Sequence, residues 1–368
     1  MSAAFRRTIS ADRWGWRSFS RTSSRRQNPN PSRMFSRLSR RFKPIALISC
    51  IAALLSAPLA RADICTQRPA IAAAAKDPAT NLVFFGSSRV QNGFDPEVFD
   101  AAMAEAGVDG IHSYNIGWPD EVFAETIVHV ECLFTARPKG IKYVLFEPNL
   151  GAGEFLLPNT RRAIALFSLH GAYLVNQMMS PYVLRAMSIT GFNYARRALI
   201  LLAQHYTGLS WTPPDYIPWY PPRGHPLGPR ENGSLKADDA YAERLRDIEA
   251  YKPQPEHTTD AQARLVLSLA RYIQAHGAVP VIVTTPQYIN FWLTRDLAAK
   301  IAQLCGERDP PVLDFTSPTK YPALWDPQNR MDDDHLNIRG AGIYSQLLAQ
   351  ELARTLREPH DPGHLCSF

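Results

Sequence analysis

Read for apolar and polar positions, the chain divides into short solid apolar runs alternating with longer stretches of 3.6-residue period. The run from Asn81 to Phe85 stops at Gly86 and has no polar alternation, the pattern of a strand buried on both faces. A loop is expected after Ser88. Asp95-Pro96 then offers an N-cap followed by proline at the first helical position, and the helix it opens, Glu97 to Ala106, stops at Gly107. A second strand, Ile111 to Ile116, runs into Gly117. Pro119, Asp120 and Glu121 open a helix whose apolar positions Val122, Phe123, Ile127, Val130, Leu133 and Phe134 keep the helical period, until Pro138-Lys139-Gly140 ends it. Ile141 to Glu147 reads as a third strand, closed by Pro148-Asn149.

The alternation breaks over residues 151–257. Two helical stretches are expected there, Arg161–Met178 and Pro181–Tyr206, followed by a proline-rich segment that carries Trp211, Tyr216, Trp219 and Tyr220. The alternation then resumes: a capped helix from Thr259 to His276, a strand from Val279 to Thr285, a helix from Asn290 to Cys305, a strand from Val312 to Phe315 and a last helix from Ile338 to Leu356. Strands alternating with helices predict an α/β fold with a doubly wound, five-stranded parallel sheet. The 151–257 block is an insertion at the C-terminal edge of the third strand, where such folds bind ligands.

Charge changes the picture at one end. The chain has 40 Lys and Arg against 34 Asp and Glu, but residues 1–62 hold 13 of the bases and a single acid, Asp12. The remaining 27 bases and 33 acids leave residues 63–368 with a net charge of −6, so the body has no basic surface for nucleic acid. Within the leader, Arg37, Arg40, Arg41 and Lys43 precede an apolar core from Ile45 to Leu59, and Ala60-Arg61-Ala62 follows with small residues where a signal peptidase reads. The core is shorter than the roughly 20 residues that span a bilayer. The expectation is a basic leader and signal peptide over 1–62, with the domain over 63–368 periplasmic or secreted; the alternative is an uncleaved anchor in the inner membrane facing the periplasm. Export leaves Cys65, Cys132, Cys305 and Cys366 in an oxidising compartment, open to three pairings. Cys65 with Cys366 would tie the two mature ends together, and buried free thiols are the other reading. No Cys/His spacing suggests zinc.

Candidate chemistry lies at strand ends. In Phe84-Phe85-Gly86-Ser87-Ser88-Arg89 a glycine permits a tight turn that lifts the Ser88 hydroxyl above the sheet edge, with the Arg89 N–H aimed at a substrate carbonyl. The same stretch also fits a strand ending in a small-residue turn with no chemistry. Far downstream, Asp332-Asp333-Asp334-His335-Leu336-Asn337 precedes the last helix, which Asn337 caps. The i, i+3 spacing lets Asp332 accept the imidazole Nδ1–H while Nε2 faces a serine, since a serine hydroxyl needs both a base and an orienter. Asp333 and Asp334 are rivals for that role, and three acids in a row could instead hold a hard cation or sit in solvent near a helix N-terminus. Arg89 is placed to bind an anionic substrate group or to pair with a carboxylate. Trp211, Trp219 and Tyr220 could stack on sugar rings, or pack as a rigid cover on the insertion helices.

Taken in order, Gly86-Ser87-Ser88, Asn115-Ile116-Gly117, Glu147-Pro148-Asn149 and Asp332-x-x-His335 resemble the four sequence blocks of the SGNH/GDSL hydrolase superfamily. The likeness covers residues 81–149 and 279–356 and leaves the insertion unmatched. It implies a flavodoxin-like three-layer α/β/α sandwich, Ser88 as nucleophile, His335 as base and Asp332 as its orienter. It also implies an oxyanion hole made of the Ser88 N–H, the Gly117 N–H and the Asn149 side-chain amide, with no metal or other cofactor. Two positions depart from the pattern: Gly-Ser-Ser stands for Gly-Asp-Ser, and Glu-x-Asn-Leu for Gly-x-Asn-Asp. The first is similar to branches that act on cell-envelope polymers and move acyl groups. The function expected is therefore an exported serine esterase or acyltransferase acting on acyl, chiefly O-acetyl, esters of envelope or extracellular polysaccharide. The alternative is an inactive protein of the same fold that binds glycan through its aromatic loop.

Overall fold

The structure, a computed structural model, describes Cys65 and residues 68–137, 139–150, 169–179, 235, 238–305 and 310–357. The expected leader, most of the insertion, and with them Trp211, Trp219 and Tyr220 lie outside the described residues.

Five parallel strands form one sheet: β1 (Leu82–Gly86), β2 (Ser113–Gly117), β3 (Tyr143–Phe146), β4 (Val279–Thr284) and β5 (Val312–Asp314), in the order β2-β1-β3-β4-β5. All positions of β1 and β2 are buried; β1 is solidly apolar, whereas β2 alternates Ser113 and Asn115 with Tyr114 and Ile116, its two polar side chains being hydrogen-bonded within the protein. Alternate side chains still serve opposite layers. Val83, Phe85, Ile116, Val144 and Phe146 face one core, closed by α1 (Pro69–Lys76), α4 (Phe123–Ala136), α5 (Leu169–Met178) and α7 (Asp260–Ala275). Leu82, Phe84, Leu145, Val281 and Leu313 face the other, closed mainly by α3 (Pro96–Glu105) and α9 (Ile338–Arg357). The result is the three-layer α/β/α sandwich.

The helix ends follow local chemistry. Asp95 Oδ1 accepts from the N–H groups of Glu97 and Val98 at the start of α3, and Thr259 and Gln262 form a reciprocal capping box at the start of α7. Asn337 Oδ1 accepts from the Gly340 N–H at the start of α9. Three helices depart from the sequence expectation. The segment after Ser88 is not a loop but a short helix, α2 (Ser88–Gly93). α1 precedes the first strand, and α6 (Asp239–Ala250) lies in what reads as proline-rich connection. The last long helix before β5 is α8 (Phe291–Cys305). Among the described residues no helix is long and apolar enough to cross a membrane.

Cys65 is bonded to Cys132 of α4, across 67 residues, and not to Cys366. α1 packs on α4 in the same apolar layer, which brings the chain just before it to the α4 surface. Cys305 is also disulfide-bonded.

Candidate active site

The parallel register aligns the C-terminal ends of the strands: Gly86 stands opposite Gly117, and Phe85 opposite Phe146. The chain leaves β1 on one side for β2 and returns on the other for β3, so the edge between β1 and β3 is the switch point of the sheet. Ser88 follows β1 and Asn149 follows β3.

Gly86 is dictated by contact. A Cβ there would lie 2.4 Å from Val90 Cγ2 and 2.9 Å from Glu147 Cβ, so only glycine lets α2 fold back over the strand end. Ser87 caps α2, its Oγ accepting from the Arg89 N–H at 3.3 Å. That N–H is therefore engaged locally and does not face a substrate. Ser88 occupies the first position of α2, with its hydroxyl at the positive end of the helix.

His335 comes to that hydroxyl from 247 residues away. Its Nε2 lies 2.8 Å from Ser88 Oγ, and its Nδ1 lies 2.8 and 2.9 Å from the two oxygens of Asp332. Asp332 Oδ1 also accepts from the N–H groups of Asp334 and His335, both at 2.8 Å. Partial burial alone would raise the Asp332 carboxyl. The His335 hydrogen bond and charge, with those two N–H groups, outweigh burial and hold it at about 2, so it is ionised at neutral pH. An ionised Asp332 fixes the proton on Nδ1 and leaves Nε2 free to accept from Ser88.

The three consecutive acids have three separate partners. Asp332 holds His335. Asp333 pairs with Arg244 at 2.9 Å. Asp334 Oδ1 accepts from the N–H groups of Tyr288 and Ile289, and burial raises its carboxyl above the usual range. The loop is pinned from beneath by Arg330, a fully buried guanidinium that donates to the carbonyls of Leu324, Asp332, Pro286 and Asp333 and lies over the Trp325 ring at 4.6 Å.

Glu147 is fully buried and joins three strand ends. Its Oε2 accepts from the Ser87 N–H and Oγ at 2.9 and 2.7 Å; its Oε1 accepts from Arg89 Nε and Thr285 Oγ1, both at 2.6 Å. Burial would raise this carboxyl, but the Arg89 charge and the three hydroxyl and amide donors keep it below its ordinary value. Arg89 is thus paired within the protein, and its Nη1 lies 3.7 Å from Asp334, so it ties the serine turn to the histidine loop. Of the two roles open to Arg89, the structure shows the pairing with a carboxylate, because a buried carboxylate needs a cation.

No family model and no curated protein matches this chain.

Two donors remain for an oxyanion. The Ser88 N–H, at the start of α2, has no intrahelical acceptor. Asn149 Nδ2 gives one hydrogen to the Glu121 carbonyl at 2.8 Å, which orients the amide and leaves its second hydrogen free. The Gly117 N–H is engaged: it donates to Asn115 Oδ1 at 2.9 Å. Gly117 instead serves close packing, since a Cβ there would lie 2.2 Å from the Gln91 N of α2. Asn115 completes the joint, its Nδ2 donating to the carbonyls of Val90, Gln91 and Phe94 at the end of α2. Sequence reasoning did not single out Arg330 and gave Glu147 no role. Their one signal was position, two residues before Asp332 and two before Asn149.

Proposed function

We propose that the protein is an exported serine esterase or acyltransferase of the SGNH/GDSL type, acting on acyl, chiefly O-acetyl, esters of envelope or extracellular polysaccharide. The observation that carries the reading is the Ser88 Oγ to His335 Nε2 contact of 2.8 Å, continued from Nδ1 to Asp332. A hydroxyl, an imidazole and an ionised carboxylate in that order are the parts that acyl transfer through a covalent serine requires.

In this mechanism the Ser88 oxygen attacks the ester carbonyl as its proton passes to His335 Nε2, while Asp332 stabilises the imidazolium. The carbonyl oxygen becomes an oxyanion held by the Ser88 N–H and the free hydrogen of the Asn149 amide. As the ester C–O bond breaks, His335 returns the proton to the leaving alkoxide and Ser88 keeps the acyl group. Water or a sugar hydroxyl then attacks that acyl-serine, giving hydrolysis or transfer by the same steps in reverse. The signal-like leader supports export, and the disulfide-bonded Cys65, Cys132 and Cys305 fit an oxidising compartment. The polysaccharide assignment rests on the likeness of Gly-Ser-Ser to envelope-acting branches.

The test is covalent labelling with a fluorophosphonate, which needs only an activated serine. Wild-type protein should label and Ser88→Ala should not, with p-nitrophenyl acetate turnover following the same order. Folded wild-type protein that takes no label would remove the enzyme reading and leave the glycan-binding one.

A further inference from the structure

Behind Asn149 lies a buried ionic cluster that the proposed chemistry does not use. Arg68 is 2% exposed, and its guanidinium donates to Glu121 Oε2 at 2.9 Å and to the Ile116 carbonyl at 2.7 Å while lying 4.2 Å over the Trp118 ring. Glu121 is fully buried, and its Oε1 takes His129 Nδ1 at 3.0 Å. The Glu121 carbonyl is the acceptor that orients the Asn149 amide, and the Asn149 carbonyl accepts from the Phe123 N–H in return. Both ends of this cluster are stapled by one bond: Cys65 lies three residues before Arg68, and Cys132 three residues after His129.

We propose that Arg68, held in place by the Cys65–Cys132 bridge, is a positioning residue for Asn149, so that the candidate site is fully assembled only in the oxidised protein. The inference rests on the esterase or acyltransferase reading for its consequence but not for its geometry. Arg68 clamps the end of β2 to the 118–121 turn, and that turn presents the carbonyl which aims the amide. A dithiol reductant, itself oxidised to a disulfide, would convert the bridge to two thiols and free the chain that carries Arg68.

Two readouts on the full chain test this: the rate of fluorophosphonate labelling or of acyl-ester turnover, and the Asn149 side-chain amide resonances in ¹⁵N-labelled protein. Arg68→Met and a Cys65→Ser/Cys132→Ser variant, which leaves the Cys305 disulfide in place, should each shift those resonances and lower kcat by about tenfold to a hundredfold with little change in KM, the size expected from a small misplacement. Arg68→Met strands the buried Glu121 carboxylate, so the Arg68→Met/Glu121→Gln double variant provides the folded comparison. It should regain thermal stability without regaining rate, and Arg68→Lys should recover part of it. A double variant with wild-type rate would mean that Arg68 only neutralises Glu121, and would overturn the positioning role. Unchanged amide resonances and rate in the Cys65→Ser/Cys132→Ser variant would overturn the role of the bridge. If wild type takes no label at Ser88 yet the resonances move, the enzyme reading fails and the Arg68 to Asn149 coupling stands.

Discussion

Each oxygen of the Glu147 carboxylate takes two bonds: Ser87 N–H and Oγ on one, Arg89 and Thr285 on the other. A carboxylate without a side-chain opening to water is tolerable only because all of those donors are present. Replacing it with glutamine keeps the shape but strands the Arg89 charge and gives Ser87 or Thr285 a donor where an acceptor was. Glu147→Gln should lower unfolding free energy by about 3–5 kcal/mol, and the Glu147→Gln/Arg89→Met pair should recover part of the loss; urea denaturation of the single and double variants measures both. At the other side of the serine, Asp332→Asn leaves the ring in place but favours the wrong tautomer. It should reduce kcat for an acyl ester on the order of 10⁴-fold with KM little changed, checked by steady-state kinetics. The serine, histidine and aspartate were legible in the sequence because short motifs carry them. The partners of Glu147 and Arg330 were not, since a buried charge is defined by groups 58, 60 and 138 positions distant, or by carbonyls of other loops, which no local pattern encodes.

Among the elements, α2 decides where the candidate nucleophile stands. It is six residues long, too short to show a period, and so it reads as loop; its existence depends on Ser87 as cap and on Asn115 collecting its last carbonyls. α6 was missed for a related reason: its apolar stripe is only Tyr241, Leu245 and Ile248 among charged neighbours, and the proline-rich stretch before it masks its start. The five strands were readable, to within a residue or two at their ends; β1 and β3 are the clearest, because burial on both faces demands solid apolar runs, while β2 carries Ser113 and Asn115 between its apolar positions. α7 and α9 were readable because caps and periodic apolar faces mark them. The packing of α2 against β2 gives a prediction at this scale. Gly117→Ala drives a methyl group into the Gln91 backbone at 2.2 Å, where no flexible side chain can yield. The helix must shift, carrying Ser88 from His335. The variant should lose about 1–3 kcal/mol of stability and a larger share of its labelling rate than that loss of folded protein explains, read by denaturation and fluorophosphonate labelling on one sample.

At the scale of the whole molecule, the carboxylates paired or hydrogen-bonded around the candidate site set how the protein meets acid. Burial works against ionisation of Glu121, but Arg68 and His129 hold its carboxyl at about 2, and Glu147 and Asp332 are likewise lowered. A carboxyl lowered in the folded state binds its proton first in the unfolded chain. The stability it contributes is therefore complete above the ordinary carboxyl value, about 4 to 4.5, and is lost as pH falls toward about 2. His129 acts earlier. Burial and the Arg68 charge lower it, so acid protonates the unfolded chain before the folded one, and stability begins to fall below the ordinary histidine value of about 6.5. Asp334 runs the other way, because burial raises it; it favours the folded state at low pH and gives that advantage up as pH rises through its folded value. Three lowered carboxyls and one lowered histidine outweigh that single group. Tm followed from pH 7 downward should decline gently below about 6.5 and steeply below about 4.5. His129→Gln should flatten the upper part of the curve and leave the lower part in place, since glutamine cannot take up the proton whereas Glu121 still can. A Tm that stays level from pH 7 to 3 would mean that the charges around Arg68 do not carry the coupling through which Glu121 and His129 sense acid.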